Sequence, residues 1–293
     1  MKDLFQQVLK QSKNDFVNSE VTKVNPISGG CIHKAWKVEL SNGKKLFAKT
    51  TTKNNFNMLK AEAKGIQKLK SYADNNWLII PNIFCLELIE DNAFLFLSWI
   101  DITSGNQDSL GKGLACLHKT SSDNNPGNFG WGSDSFIGTG VQVGGWEKTW
   151  ADCFIKLRLI PQIKSASKWG LKMSDCKNQL ARMHEILNEQ KTKPSLVHGD
   201  LWAGNAGVSK NGKGLIYDPA SWWADREVDI AMTTLFGGFN REFYDGYEEI
   251  WPLNKGYEQR IDIYNLYHIL NHANIFGGGY KEKSIDIINR FGK

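Results

Sequence analysis

Long apolar runs are missing from this sequence of 293 residues. Its most apolar stretches, Trp77–Pro81 and Ala93–Ile100, are far shorter than the roughly 20 residues that a membrane-spanning helix needs. Met1–Lys10 also lacks the apolar core of a secretory signal peptide. We therefore predict a soluble protein that has no membrane partner and is located in the cytoplasm.

Cysteine motifs that bind zinc or build a disulfide framework are missing as well. The five cysteines form no CxxC pair, and an odd number cannot close completely into disulfides. We therefore expect a reducing compartment. Four of the cysteines have apolar or helical neighbours and are predicted to be small buried side chains: Cys85, Cys116, Cys153 and Cys176.

The sequence has no block of like charges. Its 36 basic and 31 acidic residues give a net charge of +5 that is spread along the chain. Proteins that bind nucleic acid usually concentrate basic residues in a patch or an arm, so we predict no nucleic-acid partner. A mildly positive field still suits an anionic ligand such as a nucleotide.

What the sequence does contain is an ordinary globular composition, with 41% apolar and 23% charged residues. Residues 1–100 carry strand-like runs separated by turn signals, among them Asn42-Gly43, which is typical of a two-residue hairpin. The predicted strands are Val21–Ser28, Lys34–Leu40, Lys45–Thr50, Ile83–Ile89 and Ala93–Ile100. An amphipathic helix from Phe56 to about Leu69 lies between the third and fourth runs. These patterns predict a five-stranded antiparallel sheet with one helix.

Residues 101–293 are predicted to be mainly helical. The predicted helices are Leu110–His118, Trp146–Ile160, Cys176–Glu189, Asp229–Phe236, Glu242–Ile250, Gly256–His272 and Lys283–Arg290. Between Ser121 and Gly145 the chain is rich in glycine, asparagine and serine and is long enough to predict a functional or capping loop. The expected fold class is α+β, with a small sheet lobe, a larger helical lobe and a boundary near Trp99–Ser104.

The segment Leu196–Val208, LVHGDLWAGNAGV, carries the clearest catalytic pattern. Asp200 and Asn205 stand five positions apart, as do the proton-accepting Asp and the magnesium-binding Asn of the kinase catalytic loop. Asp218, at the end of the next predicted strand, fits the second magnesium-binding carboxylate. An ordinary turn capped by Asp200 is the alternative, but it leaves the three together unexplained.

Phosphoryl transfer also needs a cation on the ATP phosphates and a carboxylate that holds that cation. Lys49, at the end of the third strand, fits the cation. Glu62 is the single acid between Thr50 and Tyr72 and fits its partner. The alternative is an exposed strand lysine and a surface glutamate.

Glycines in the first hairpin suggest a loop over the nucleotide. Gly29, Gly30 and Cys31 lie where backbone N–H groups could approach phosphate, because glycine allows close approach of the main chain. The segment is not a clean phosphate-binding motif, and a plain Gly-Gly turn has the same local signature.

Together these motifs resemble the fructosamine kinase family, also called ketosamine 3-kinases. The resemblance runs from about Val21 to Tyr280 and rests on these segments: Ser28–Cys31, Phe47–Lys49, Ala61–Ala63, His198–Asn205, Asp218–Met232 and Asn265–Tyr280. It implies a protein-kinase-like two-lobed fold, with ATP and Mg²⁺ as cofactors. The implied reaction is phosphorylation of the 3-hydroxyl of a ketosamine, either a small molecule or a glycated protein, followed by elimination of the phosphate and regeneration of the amine without a second enzyme.

The resemblance also implies a role for each matched residue. Asp200 corresponds to the general base, and Asn205 and Asp218 correspond to the magnesium ligands. Lys49 corresponds to the phosphate clamp, and Glu62 to its partner. The N-lobe, residues 1–100, is then expected to bind the nucleotide, and the C-lobe, residues 101–293, to carry the catalytic loop and the acceptor site.

Aromatic side chains are expected in the acceptor pocket, because a sugar ring face packs well on an indole. Trp202, inside the catalytic loop, is the first candidate. Trp222 and Trp223 are the next, with packing in the core or in a lid as their alternative. Asp229 and His198 are expected to support the loop rather than to react.

Cys31 is the one cysteine expected to be reactive. A thiol that is accessible and near bound phosphate lies in electropositive surroundings and is oxidisable. With the family resemblance this predicts a monomer or a redox-sensitive homodimer formed through Cys31, and an inert loop thiol is the alternative.

Other functions stay open at this stage. A kinase of the same fold could act on an aminoglycoside, choline or a methylthio-sugar, and Asp225 and Glu227 could then surround a cationic acceptor. A pseudokinase scaffold would bind nucleotide without turnover, although the residues that such proteins typically lose are all present. A protein kinase is disfavoured, because Asp218-Pro219-Ala220 replaces D-F-G and no long activation loop follows.

Overall fold

The computed structural model describes residues 1–12, 16–27 and 33–292. Helix α1 (Lys2–Gln11) begins the chain and buries Phe5, Val8 and Leu9. The Phe5 ring makes edge-to-face contacts with Phe94 and Phe96, at centroid distances of 5.9 and 5.5 Å. The prediction of one helix in this lobe therefore missed α1, which covers the outer face of the sheet.

The N-lobe continues with a sheet and a second helix. Its elements are β1 (Val21–Ile27), β2 (Lys34–Leu40), β3 (Lys45–Thr52), α2 (Phe56–Lys70), β4 (Leu78–Ile79), β5 (Ile83–Ile89) and β6 (Asn92–Ser98). Five of these strands form one antiparallel sheet in the order β1-β2-β3-β6-β5, which confirms the predicted sheet. Gly43 has φ +79°, as the predicted hairpin turn requires.

Helix α2 joins this sheet to the rest of the molecule. Leu59, Ile66 and Leu69 recur at helical spacing and are buried in one apolar cluster with residues of both lobes. Gly65 faces the segment after Asp218, where an added Cβ would lie 3.2 Å from Pro219 Cγ. The absence of a side chain at Gly65 thus lets α2 pack closely against the C-lobe.

The C-lobe is mainly helical, as predicted, with short strands between the helices. Its elements are β7 (Ile102–Thr103), α3 (Asp108–Asp123), β8 (Phe129–Trp131), β9 (Ser135–Ile137), β10 (Gly140–Gln142), β11 (Gly145–Glu147), α4 (Trp150–Phe154), α5 (Ile160–Ala166), α6 (Lys177–Glu189), β12 (Ser195–Val197), β13 (Ala206–Ser209), β14 (Gly214–Ile216), β15 (Trp222–Ala224), α7 (Glu227–Leu235), α8 (Arg241–Ile250), α9 (Tyr257–Phe276) and α10 (Gly279–Arg290). A π-helical segment, Ile155–Leu159, joins α4 to α5.

The predicted loop before residue 145 is more ordered than expected. It contains β8, β9 and β10, and β8 joins a four-stranded sheet in the order β11-β8-β15-β12. Trp146 lies in strand β11, so the helix predicted from Trp146 begins instead at Trp150. The cause is local, because the Thr149 side chain accepts a hydrogen bond from Asp152 N and caps the helix there.

A second four-stranded sheet, β4-β14-β13-β7, combines strands from both sides of the predicted boundary, with β4 parallel to β14. The boundary near residue 100 therefore stays a prediction. Across the described residues, no helix has the length and apolar character needed to span a bilayer.

Candidate active site

The catalytic loop follows strand β12, and its backbone is hydrogen-bonded to one buried carboxylate. Asp229, on α7, accepts hydrogen bonds from His198 N at 2.7 Å and from Gly199 N at 2.8 Å. Gly199 has φ +82°, and an added Cβ would lie 2.2 Å from Ala220 O, so only glycine fits this turn. The sequence-based prediction that Asp229 supports the loop backbone is confirmed.

Two histidines extend this support as neutral groups, because burial lowers the pKa of each. His118 donates from Nε2 to Asp229 Oδ2 at 3.1 Å and accepts from the Tyr247 hydroxyl at 2.9 Å. His198 accepts from Asp200 N at 3.3 Å and donates to Tyr217 O at 2.9 Å. His198 thus has the supporting role that the sequence predicts, and the backbone of Asp200 is fixed.

Asp200 and Asn205 meet as their spacing predicts. Asn205 Nδ2 donates to Asp200 O at 2.9 Å and lies 3.3 Å from Asp200 Oδ2. The same nitrogen lies 3.4 Å from Asp218 O, so Asn205 ties the loop to the segment after strand β14. Burial, reinforced by the charges of Asp218 and Asp229, raises the pKa of Asp200 to about 7. A carboxylate with a pKa near neutrality is suited to general base catalysis.

Lys49 lies between two carboxylates, Glu62, which the sequence predicts as its partner, and Asp218, which it does not. Its Nζ is 2.9 Å from Glu62 Oε1 and 2.6 Å from Asp218 Oδ1. Burial alone would lower the pKa of Lys49, but the charges of Asp218 and Glu62 reverse that effect and raise it. Burial raises the pKa of Glu62, whereas the field of Lys49 outweighs desolvation at Asp218 and lowers its pKa. Lys49 is therefore a permanent cation that links α2 to the C-lobe.

Asp218 presents its carboxylate to the cleft in a strained backbone conformation. Its φ is +59°, which is uncommon for a residue with a side chain, and 48% of its side-chain surface is exposed. His33, just after the predicted glycine loop, lies near this group. Burial and the charge of Lys49 lower the pKa of His33 to about 4, so it is neutral at physiological pH. Sequence reasoning passed over His33, although it belongs to the glycine-rich segment.

Three of the predicted nucleotide-binding residues, Gly29, Gly30 and Cys31, lie outside the described residues. Their roles stay predictions. In contrast, the fold brings the other predicted residues together, as the motifs predict. These residues are Lys49, Glu62, Asp200, Asn205 and Asp218.

The predicted substrate tryptophans separate into three environments. Trp202 is 39% exposed in the catalytic loop. Trp222 is 0% exposed, stacks on Trp150 at 5.6 Å and has the Arg158 guanidinium 3.8 Å from its ring, so the prediction that it contacts the sugar is wrong. Trp223, which follows Trp222 on strand β15, points to the other face of the sheet, because side chains alternate along a strand.

Trp223 is 4% exposed and packs beside Tyr72, at a centroid distance of 5.8 Å. Its indole belongs to the wall next to α2 rather than to the catalytic loop. The expected sugar contact of Trp223 is corrected for that reason. The alternative that the sequence left open, packing in the core, describes both Trp222 and Trp223.

An aromatic surface beside Trp202 was missed by sequence reasoning. The Phe236 ring lies 6.2 Å from Trp202 and 5.2 Å from His272, which contacts Phe276 at 5.6 Å and Tyr280 at 5.1 Å. Phe236 is 40% exposed and Phe276 is 57% exposed. The run Asn265–Tyr280 was the available signal, but its spacing alone does not show that it meets the catalytic loop.

The two acids that could have served a cationic acceptor are occupied elsewhere. Glu227 is buried and receives two hydrogen bonds from Arg260, at 2.7 and 2.8 Å. Asp225 is buried and accepts from the Tyr264 hydroxyl at 3.1 Å. Neither carboxylate faces open solvent, because both are at most 2% exposed.

Comparison with known proteins agrees with this geometry. The profile of a family described as Fructosamine kinase matches residues 1–293. The "Probable ketoamine kinase" of Synechocystis sp. is 37% identical over 267 residues, covering 90% of this chain and 88% of the relative. The "Protein-ribulosamine 3-kinase, chloroplastic" of Oryza sativa subsp. japonica is 33% identical over 281 residues, covering 93% of this chain and 80% of the relative.

Solved structures agree as well. A Haemophilus somnus 129PT protein assigned as a fructosamine-3-kinase has a TM-score of 0.85 at 25% identity, covering 98% of this chain and 96% of that one. The aminoglycoside phosphotransferase APH(4)-Ia, in a ternary complex with AMP-PNP and hygromycin B, shares the fold, with a TM-score of 0.59 at 15% identity over 93% of this chain and 95% of that one. The predicted protein-kinase-like α+β fold and the predicted phosphotransferase class are confirmed. This chain belongs to the fructosamine kinase family.

Proposed function

We propose that the protein transfers the γ-phosphate of ATP to the 3-hydroxyl of a ketosamine. The observation that carries this proposal is the meeting of Asp200, Asn205 and Asp218 at the point where Lys49 enters the cleft. The names of the relatives, a ketoamine kinase and a ribulosamine 3-kinase, support the acceptor class. The AMP-PNP complex of a protein with this fold supports ATP as the donor.

The donor set also fits Mg²⁺. Asp218 supplies an exposed carboxylate and Asn205 an amide group next to it, and Mg²⁺ prefers oxygen ligands with several positions left for phosphate and water. Among the described residues, no group of three His, Cys, Asp or Glu side chains could hold a metal without a nucleotide. When bound, Mg²⁺ would neutralise charge on the transferred phosphate. Asp218 and Asn205 would hold it.

The protein residues then divide the chemistry between them. Lys49 holds the ATP phosphates, and Asp200 accepts the proton of the sugar hydroxyl as its oxygen forms a bond to the γ-phosphorus. The bond from that phosphorus to the β,γ-bridging oxygen breaks, and ADP leaves. Trp202 offers an exposed indole for the face of the sugar. In the product, the phosphate is beside the carbonyl-bearing carbon and leaves as inorganic phosphate by elimination from the enol form. Water then hydrolyses the resulting imine, which frees the amine.

The competing acceptors have less support. Aminoglycosides and choline are cationic, and the two acids that the sequence offered for such an acceptor, Asp225 and Glu227, are buried and hydrogen-bonded. Trp202 and Phe236 instead present an uncharged aromatic surface. Such a surface can pack against the face of a sugar ring.

A redox-sensitive dimer through Cys31 and a cytoplasmic location complete the proposal. The other four cysteines are free, and burial raises the pKa of each, so their thiolates are scarce. A non-reducing gel with and without oxidant, comparing wild type with Cys31→Ser, tests the dimer. An oxidant-dependent dimer absent from the variant supports it, and monomer in every lane contradicts it. The name of the rice relative includes a chloroplast location, so the compartment itself requires direct localisation.

The central test is magnesium-dependent ADP release with ribulosyl-lysine, fructosyl-lysine, an aminoglycoside and choline. We expect turnover with a ketosamine that is lost in Asp200→Asn. Turnover with the aminoglycoside or choline alone would discard the ketosamine assignment but retain the fold. Binding of ATP without turnover on any acceptor would favour a scaffold.

A further inference from the structure

A cavity separate from the candidate active site, called here the second cavity, lies between helix α2 and the sheet β11-β8-β15-β12, and none of the proposed catalytic residues lines it. Its volume of about 560 Å³ falls in the range of small-molecule sites, roughly 300–1,000 Å³. Lys64 and Lys68 line it from α2, and Trp131, Trp146 and Trp223 line it from the sheet. The cavity thus combines cationic and aromatic walls from the two lobes.

The register of the sheet creates a slot between two of these indoles. Trp146 of β11 pairs with Gly130 of β8, and Gly130 pairs with Trp223 of β15. Trp146 and Trp223 therefore stand on the two strands that flank Gly130, a position without a side chain, and both line the cavity. Strand spacing separates the two positions by about 10 Å. Since stacked rings have centroids about 4.5–7 Å apart, that gap accepts one aromatic ring.

The missing side chain at the centre of the slot is enforced by the backbone. Gly130 has φ +129°, and an added Cβ would lie 2.0 Å from Gly145 O. Trp146 is 45% exposed and offers an open ring face, whereas Trp223 is 4% exposed and forms the inner wall.

The positive wall of the cavity is not neutralised within the protein. No carboxylate belongs to the cavity wall, and no ion pair joins Lys64 or Lys68 to an acid in the described part of the chain. Lys68 Nζ instead lies 5.1 Å from the Tyr72 ring centre and 5.7 Å from that of Trp223. These lysines are one helical turn apart, so both ammonium groups can reach one anionic group.

We propose that this cavity binds a small anion that carries one aromatic ring. The ring lies over Gly130 between Trp146 and Trp223, and the acidic group binds Lys64 and Lys68. Because the ligand touches both α2 and the C-lobe sheet, it braces the helix that carries Glu62, the partner of Lys49. Occupancy of the cavity and of the nucleotide site is then coupled, and the coupling is reciprocal.

The site is tested by isothermal titration calorimetry with 1-naphthyl phosphate, in the presence of Mg²⁺ and saturating AMP-PNP so that the nucleotide site is filled. No acceptor is present, so the outcome does not depend on the proposed kinase reaction. We expect one bound probe per chain and an affinity about tenfold weaker in the double variant Lys64→Gln, Lys68→Gln. Trp146→Ala weakens binding similarly, and 1-naphthol, which lacks the charge, binds less tightly.

The matched control is Lys70→Gln, on the opposite face of α2, where the lysine contacts Asn82. This variant should bind the probe like the wild type. Absence of binding at millimolar probe, or equal affinities in wild type and the double variant, would overturn the proposed site. Probe affinity that is the same with and without AMP-PNP would overturn the coupling.

Discussion

On the C-lobe side of the cleft, Asp229 holds the catalytic loop through two backbone N–H groups, whereas on the N-lobe side Lys49 is held by carboxylates from two different elements. The first arrangement lies within one lobe, and its partners cannot lose their protons. The second spans the lobes, and its strength depends on the charge of Glu62 and Asp218. In the proposed mechanism, the base Asp200 is therefore fixed in advance, while the phosphate clamp Lys49 is adjustable.

This difference has a chemical use. A general base contributes only when it is held within reach of the proton that it accepts, so the position of Asp200 must not vary if it has the proposed role. The clamp has to admit and release a nucleotide, and an ion pair between two lobes can separate and reform. Helix α2 carries Glu62 and borders the second cavity, so a shift of this helix would change the position of the Lys49 partner.

The largest expected effect is on turnover. Asp200→Asn should lower kcat by roughly 10²–10⁴-fold, because the amide cannot accept the hydroxyl proton. ATP binding, measured by calorimetry, should remain, since Lys49 and Asp218 are unchanged. Asp123→Asn, an exposed site at the end of α3, serves as the control. An Asp200→Asn protein that retains most of its kcat would remove Asp200 from the mechanism.

The next effect is on stability. Asp229→Ala leaves two buried N–H groups without their charged acceptor, which should cost roughly 3–6 kcal/mol in the free energy of unfolding. Asp229→Asn keeps one acceptor oxygen and should cost less, so it provides a measurable variant if the alanine protein does not fold. Urea denaturation measures both. A loss below about 1 kcal/mol in both variants would show that the loop is held by other contacts.

The third prediction compares how the stability loss of Lys49→Met and that of Asp229→Asn depend on pH. Without Lys49, Glu62 becomes a buried acid whose pKa is raised further, so it is neutral at pH 6 and carries an unpaired buried charge at pH 9. The variant should therefore be destabilised more at pH 9 than at pH 6. The loss in Asp229→Asn should vary less over the same range, because its lost partners are backbone N–H groups. Equal losses for Lys49→Met at both pH values would contradict the description of the clamp.

The smallest expected effect is a gain in thermal stability. The pKa of Asp200 is raised to about 7, above its unfolded value, so its ionisation opposes folding as the pH rises through 7. Without metal or nucleotide, Asp200→Asn should have a higher melting temperature than wild type at pH 8, and the difference should shrink as the pH falls to 5. A variant that melts at or below the wild-type temperature at pH 8 would show that the ionised Asp200 carboxylate does not destabilise the fold.

Much of this arrangement could be predicted from the sequence because its signals are local. The five strands of the first sheet follow from β-branched runs and a hairpin turn, and their predicted bounds differ from the observed ones by at most two residues. Asp200, Asn205 and Asp218 could be placed because a loop and a two-stranded hairpin fix their separation.

The misses have equally physical causes. Trp222 and Trp223 are adjacent in the sequence, but strand β15 sends one into the C-lobe core and the other towards α2, and a three-residue strand leaves too short a pattern to detect. Helix α1 has a local apolar pattern, yet its role depends on the distant rings of Phe94 and Phe96. The aromatic contact of Phe236 with Trp202 likewise depends on tertiary packing.

The most direct test of the account is to identify the product formed from ribulosyl-lysine and ATP by phosphorus NMR and mass spectrometry. We expect the phosphate on the sugar oxygen at position 3, followed by release of free lysine, with neither product formed by Asp200→Asn. Phosphate on another oxygen, or inorganic phosphate with unmodified ribulosyl-lysine, would contradict the assignment of this cleft to ketosamine phosphorylation.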